Sequence, residues 1–165
     1  MRSPSKILAL DLATQTGWAF VANGIVSSGS ESFHLKKGEL AGRRFLKFRK
    51  WLRDQIEIVK PELIVFEDVK RHISNLSARC YCGLLATLQC ECESHEIPCE
   101  GIGVGTIKKA ATQNGAASKA DMIDAAKKLG YSPIDDNEAD ALALLHIFLD
   151  KHTISVTKPT KKKVL

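Results

Sequence analysis

Two short apolar runs, each followed directly by a carboxylate, constrain the fold of this chain more than any other feature. Residues 7–10 read Ile-Leu-Ala-Leu before Asp11, and residues 63–66 read Leu-Ile-Val-Phe before Glu67. Short continuous apolar runs are typical of strands that are buried on both faces. Functional groups in open α/β sheets collect beyond the carboxyl ends of such strands. If the two strands are parallel neighbours, Asp11 and Glu67 lie side by side.

The pattern around these runs predicts an α/β fold. Residues 17–21 and 25–33 look like strands, and Asn23-Gly24 favours a hairpin turn between them, so the chain opens with an antiparallel meander. Helical periodicity follows in the next segment, which Pro61 ends. The predicted helices span residues 39–60, 77–95, 106–113, 118–129 and 136–149, with a fifth strand over residues 98–104. This order predicts a mixed five-stranded sheet with helices on both faces, as in an RNase H-like fold.

Length and charge indicate one folded domain and a basic tail. A chain of 165 residues can bury a single sizeable core, which we assign to residues 1–150. The net charge of +5 equals the five lysines after Asp150, a segment without acids. We expect residues 151–165 to be disordered and the folded body to be neutral overall. Any nucleic-acid binding then depends on local basic patches and this tail.

The apolar pattern predicts an intracellular protein. No apolar run reaches the roughly 20 residues that a membrane span needs, and no signal peptide precedes Asp11. The cysteines are five in number, an odd count that argues against a disulfide framework: Cys80, Cys82, Cys90, Cys92 and Cys99. Their Cys-x-Cys spacing also lacks the usual gap of a zinc site. We expect reduced thiols.

Acids on the last predicted helix extend the pair at the strand ends. Asp136 and Asp140 are spaced i, i+4 and therefore share one helical face. Clustered carboxylates repel one another unless a cation neutralises them, and hard oxygen ligands suit Mg²⁺ or Mn²⁺. Two such ions can stabilise the attacking and leaving oxygens of a phosphoryl displacement. The alternative is that these acids only end strands or favour a helix N-terminus.

Several motifs resemble those of the RuvC-type Holliday junction resolvases, which are RNase H-like nucleases. Residues 11–19, Asp-Leu-Ala-Thr-Gln-Thr-Gly-Trp-Ala, resemble the family's opening motif, and Glu67 is similar to its second acid. Residues 137–143, Asn-Glu-Ala-Asp-Ala-Leu-Ala, resemble its Asp-x-x-Asp-Ala-x-Ala helix, while Lys108 and Lys119 have its spacing of two lysines. The resemblance covers nearly all of residues 5–149. Leu12 replaces the family's proline.

A second difference from the family's motifs leaves undecided which residue supplies one of the metal contacts. Asn137 stands where the family often has an acid, with Asp136 and Glu138 on either side. We assign the role to Asp136, which shares a face with Asp140, but Asn137 or Glu138 could serve instead. The predicted metal ligands, for Mg²⁺ or Mn²⁺, are thus Asp11, Glu67, Asp136 and Asp140.

The resemblance implies a structure-selective endonuclease that cuts four-way DNA as a homodimer. Lys119 would act catalytically at the scissile phosphate, and Lys108 would hold the DNA backbone. The phosphate-binding patch is expected to include Lys70, Arg71 and Arg79. The apolar helix over residues 77–95 is our candidate for the dimer interface, through Leu84 and Leu88.

Other functions remain open at this point. The main alternatives are a YqgF-like nuclease that acts on RNA and a DNA-junction-binding module without catalysis. Asp11, Thr14 and Gly17 also resemble the phosphate loop of actin-like kinases, but those proteins are much longer. Gly101-x-Gly103-x-Gly105 is too irregular for a dinucleotide loop, so no nucleotide cofactor is expected.

Overall fold

A mixed five-stranded sheet forms the centre of the computed structural model, which describes residues 3–157. The strands are β1 (Ile7–Asp11), β2 (Gln15–Ala22), β3 (Ile25–Ser32), β4 (Leu63–Asp68) and β5 (Cys99–Gly103), in the order β3-β2-β1-β4-β5. Strand β2 is antiparallel to both β1 and β3, whereas β4 is parallel to both β1 and β5. The predicted sheet and its opening meander are confirmed.

The meander turns where the sequence predicts. Asn23 and Gly24 both have positive φ, 53° and 74°, and the flanking residues Ala22 and Ile25 pair across the hairpin. Two consecutive left-handed residues are what a two-residue hairpin turn requires, and Asn-Gly adopts them at low cost.

Helices cover both faces of the sheet. The helices α1 (Gly42–Val59) and α2 (Asn75–Ser94) lie on one face, and α3 (Val104–Thr112), α4 (Lys119–Lys128) and α5 (Asp136–Lys151) lie on the other. Because strand side chains alternate between faces, Leu8 and Leu10 pack under α1 and α2, while Ile7 and Ala9 pack under α5. This double burial explains why the apolar runs show no polar alternation. The bounds differ by a few residues from those predicted.

Local signals set the helix ends. Helix α1 ends before Pro61, with Lys60 in the left-handed region and its N–H donating to the Ile56 carbonyl at 2.9 Å. Helix α4 begins with the predicted capping box, in which Ser118 and Asp121 satisfy each other's backbone N–H groups. Such caps place the first residue of α4, Lys119, at a defined position.

Helix α2 packs differently from our prediction. Leu84 and Leu88, expected at a dimer interface, are fully buried in the chain's own core together with Phe48, Leu52 and Ile64. That interpretation is wrong for these two residues, because α2 uses its apolar side to cover the sheet. Its exposed side carries smaller and polar groups: Arg79, Cys82, Ala86 and Cys90.

The segment after α5 contacts the folded body as far as the structure describes it. Ile154 and Val156 pack against the core beneath α5, and the Thr157 N–H donates to the Gly24 carbonyl at 2.9 Å. Residues 154–157 thus contact the folded body, and the expected disorder of residues 151–165 stays a prediction. The other tail lysines, Lys158, Lys161, Lys162 and Lys163, lie outside the described residues, and the domain division stays a prediction. Among residues 3–157, no helix is long and apolar enough to cross a membrane.

Candidate active site

The carboxyl ends of β1 and β4 bring two acids together. Leu10 pairs with Phe66 in the parallel register, so Asp11 and Glu67 follow at equivalent positions of adjacent strands. Their exposures are only 7% and 8%. Burial, and next the neighbouring charge of Glu67, raise the pKa of Asp11 well above its usual value. Burial also raises the pKa of Glu67. This is the juxtaposition that the apolar runs predict.

Helix α5 adds two further carboxylates from its first turns. Asp136 and Asp140 lie one turn apart, and the charges of both contribute to the raised pKa of Asp11. Burial, followed by the charges of Glu67 and Asp136, raises the pKa of Asp140 to about 7. Its Oδ1 atom is buried without a hydrogen-bond partner among the described residues. A buried carboxylate oxygen without a hydrogen-bond partner destabilises the fold, and a bound cation or hydrogen-bond donor would remove that cost.

Lys119 places a positive charge at the mouth of this cluster. Its ammonium forms an ion pair with Asp136, and its side chain remains 81% exposed. The hydrogen bond with Asp136, followed by the charges of Asp136, Asp140 and Asp11, raises the pKa of Lys119. The lysine is therefore charged, close to three acids and accessible from solvent.

Lys108 lies near the acids and contacts the segment that precedes Lys119. It is half-buried, and its Nζ donates to the Ala117 carbonyl at 2.8 Å, two residues before Lys119. Its charge lowers the pKa of both Glu67 and Asp140, against the effect of burial. In this arrangement the Lys108 ammonium faces the acids and the segment that carries Lys119.

The remaining predicted DNA-binding residues follow Glu67 in the chain. Lys70 and Arg71 lie in the loop that follows β4, and Arg79 is in the second turn of α2. All three side chains are exposed. The sequence did not indicate the anchor of this region, Tyr81, whose hydroxyl donates to the Glu67 carbonyl at 2.9 Å and accepts from the Val69 N–H at 3.1 Å.

The structure gives two of the three candidates for the open metal contact, Asp136 and Glu138, different surroundings. Glu138 is buried at 5% exposure, and its two oxygens accept hydrogen bonds from the Ser28 hydroxyl and the Ile134 N–H, each at 2.7 Å. Glu138 is thus directed at β3. Asp136 instead joins Asp140 and Lys119 at the acid cluster.

The donor set fits a hard divalent cation. Within residues 3–157 no three carboxylate, imidazole or thiol groups are already arranged as a metal-binding cluster. The four acids nevertheless offer only oxygen donors, neighbouring acid charges raise the pKa of Asp11 and Asp140, and Asp140 presents an unpartnered buried oxygen. Such a set suits Mg²⁺ or Mn²⁺ better than a softer metal.

Sheet order and helix placement define an RNase H-like fold of the RuvC type. No protein-family model and no curated protein sequence matches the chain. Among solved structures, it is similar to Thermus thermophilus RuvC in complex with a Holliday junction substrate, at 20% identity and a TM-score of 0.74 over 90% of this chain and 96% of that one. A second Thermus thermophilus RuvC structure has 21% identity and a TM-score of 0.71, with the same coverage. The yeast mitochondrial Holliday junction resolvase Ydc2 has 14% identity and a TM-score of 0.65, over 93% of this chain and 81% of that one. The predicted fold is confirmed.

Proposed function

We propose that this chain is a structure-selective DNA endonuclease that resolves Holliday junctions by metal-dependent hydrolysis. The observation that carries the proposal is the group formed by buried Asp11 and Glu67 and partly buried Asp140 at one end of the sheet, with an unpartnered buried oxygen on Asp140. The fold supports it, because the similar Thermus thermophilus protein was solved with a Holliday junction substrate. We expect the same class of substrate here.

We propose that Mg²⁺, or Mn²⁺ in its place, binds to Asp11, Glu67, Asp136 and Asp140. When bound, such ions polarise a phosphate ester and lower the pKa of a water molecule. The chain's own contribution is to hold the carboxylates together and to exclude water from Asp11 and Glu67, which strengthens electrostatic interactions in the site.

Lys119 would contact the reacting phosphate. Its exposed ammonium can move from Asp136 to a phosphate oxygen that enters the site, where negative charge develops in the transition state. Lys108, which bonds to the Ala117 carbonyl, would first hold the segment before Lys119 in place. In this proposal its expected contact with the DNA backbone is secondary to that support.

Lys70, Arg71 and Arg79 would bind phosphates on the α2 side of the site. All three are exposed, and Lys70 and Arg71 follow shortly after the strand that ends near Glu67. Contacts with phosphates would orient the DNA without reading its sequence. A four-way junction has near two-fold symmetry, and paired cutting requires two sites. We therefore propose a homodimer, formed by surfaces other than Leu84 and Leu88.

A nicking assay tests the function. Purified protein is incubated with four-way, Y-shaped and linear duplex DNA and with structured RNA, with and without Mg²⁺. We expect Mg²⁺-dependent, paired cuts in the four-way junction and little cutting of linear duplex. Preferential cutting of RNA would favour the YqgF-like alternative, and tight junction binding without any cutting would favour the non-catalytic module.

A further inference from the structure

The first turn of α5 is docked on β3 by two carboxylates that are not part of the acid cluster. The Ser28 hydroxyl donates to Glu138 Oε1 at 2.7 Å, and the Ser30 hydroxyl donates to Asp135 Oδ2 at 2.6 Å. Ser28 and Ser30 are two residues apart, so they lie on the same face of the strand. Both contacts join segments more than 100 residues apart in the chain.

Each of these carboxylates also accepts from a backbone N–H at or just before the start of α5. Asp135 Oδ1 accepts from the Glu138 N–H at 2.8 Å, and Glu138 Oε2 accepts from the Ile134 N–H at 2.7 Å. Every carboxylate oxygen of the two residues is therefore occupied, one on the helix start and one on the strand. These contacts hold both side chains between the start of α5 and β3.

A third contact sets how closely α5 approaches the sheet. A Cβ atom placed on Gly17 would lie 1.9 Å from the Asn137 carbonyl oxygen, a distance that no other residue could accept. Gly17 pairs directly with Asp11 in the β1–β2 register. The helix backbone thus rests on the strand residue that is opposite the first acid of the cluster.

We propose that Asp135 and Glu138, through Ser30 and Ser28, are positioning residues that fix the distance of Asp136 and Asp140 from Asp11. This inference rests on the proposed metal-dependent function. In it, strand β3 contributes no metal ligand but sets the positions of the two ligands on α5. The start of α5 contacts β3 and Gly17. These contacts orient the helix so that the face with Asp136 and Asp140 is directed toward the ends of β1 and β4.

Removing the two hydroxyls tests the proposal without changing any charge in the site. We would measure Mn²⁺ affinity by titration calorimetry, in the absence of DNA, for wild type, Ser28→Ala, Ser30→Ala and the double variant. Ser27→Ala is the matched control, because Ser27 is on the same strand but on its opposite face. Circular dichroism and thermal melting check that each variant is folded.

We expect the double variant to bind Mn²⁺ about tenfold more weakly, the effect typical of lost outer-shell support. The Mn²⁺ concentration for half-maximal junction cleavage should rise in parallel, while the rate at saturating Mn²⁺ stays near that of wild type. The single variants should lie in between, and Ser27→Ala should match wild type. Unchanged Mn²⁺ affinity in the double variant would overturn the inference.

Variants at Glu138 separate positioning from ligation. Glutamine can still accept from the Ile134 N–H through its carbonyl and donate to Ser28, so Glu138→Gln should retain most of the Mn²⁺ affinity that Glu138→Ala loses. If Glu138→Gln weakens Mn²⁺ binding as much as Asp140→Asn does, Glu138 is a ligand and the inference is wrong. A wild-type protein that neither binds Mn²⁺ nor cuts junctions would instead overturn the proposed function.

Discussion

The Lys119 ammonium forms an ion pair with Asp136 that joins the first turn of α4 to the first turn of α5. The pair lies at the entrance of a cluster whose other acids, Asp11, Glu67 and Asp140, all have raised pKa values. One exposed cation therefore offsets part of the repulsion among these carboxylates. A phosphate and metal ions that enter the site would compete for both partners of this ion pair.

Changing Asp11 to asparagine should abolish cleavage while the protein still folds and binds junction DNA. The amide has nearly the same shape, but it cannot supply the negative charge that a divalent cation requires. We expect the single-turnover rate at saturating Mg²⁺ to fall by more than the roughly 100-fold that loss of an outer-shell partner costs. Gel-shift affinity serves as the control, and an Asp11→Asn protein that cuts at nearly the wild-type rate would contradict the site.

Asp140 should make the metal-free protein less stable as pH rises. The pKa of Asp140 is raised to about 7 in the folded protein, against about 3.9 for an unfolded chain, so the folded state binds the proton more tightly. Below about pH 4, Asp140 is protonated in both the folded and the unfolded state, so its ionisation costs no stability there. The free energy of unfolding then falls as pH rises from about 4 toward about 7. The loss is at most about 4 kcal/mol.

Denaturant unfolding of wild type and Asp140→Asn in EDTA, between about pH 4 and 8, measures this effect. The variant has no carboxyl at position 140 to ionise. Because the charge of Asp140 contributes to the raised pKa of Asp11, the substitution also lowers the pKa of Asp11. We expect Asp140→Asn to become more stable than wild type above about pH 7, with the difference shrinking as pH falls. A constant difference across the whole range would exclude a raised pKa for Asp140.

Lys119→Ala should slow the chemical step far more than it weakens binding. If the ammonium contacts the reacting phosphate, its loss should lower the single-turnover rate at saturating enzyme by about 10² or more. Junction affinity should change only modestly, because Lys119 is one of several cations that would contact the DNA. Quench-flow cleavage and gel-shift titration measure the two quantities separately.

Truncation after Thr157 is the matched contrast to Lys119→Ala. It removes Lys158, Lys161, Lys162 and Lys163 but leaves the contacts of Ile154, Val156 and Thr157 in place. If these lysines bind phosphates, the slope of log affinity against log salt should decrease by up to about 3.6. The saturated rate should not change, and a rate loss as large as that of Lys119→Ala would place the tail in the active complex.

Charge substitutions on α2 should affect folding and assembly separately. Leu84 is fully buried in the chain's own core, so Leu84→Asp should destabilise the fold by more than about 4 kcal/mol. Ala86 is exposed on the other side of the helix, and Ala86→Asp should leave melting unchanged. Sedimentation of the folded Ala86→Asp variant then shows whether this face joins two protomers. A Leu84→Asp protein that melts like wild type would contradict the packing of α2.

The sequence alone determined the positions of the two central acids. A strand buried on both faces must be apolar along its whole length, so the runs before Asp11 and Glu67 could be recognised without any tertiary information. The Asn23-Gly24 hairpin and the capping box at Ser118 are equally local, because the backbone geometry of a turn or cap depends on neighbouring residues.

Only the tertiary structure decided the roles of residues that act through distant partners. Helical periodicity places Asp136 and Asp140 on one face, but the role of Glu138 depends on Ser28, 110 positions away. The apolar residues of α2 likewise suit either the chain's own core or a second protomer, because burial lowers the free energy in both cases. The sheet that Leu84 and Leu88 cover is assembled from distant segments, so no local pattern could distinguish the two.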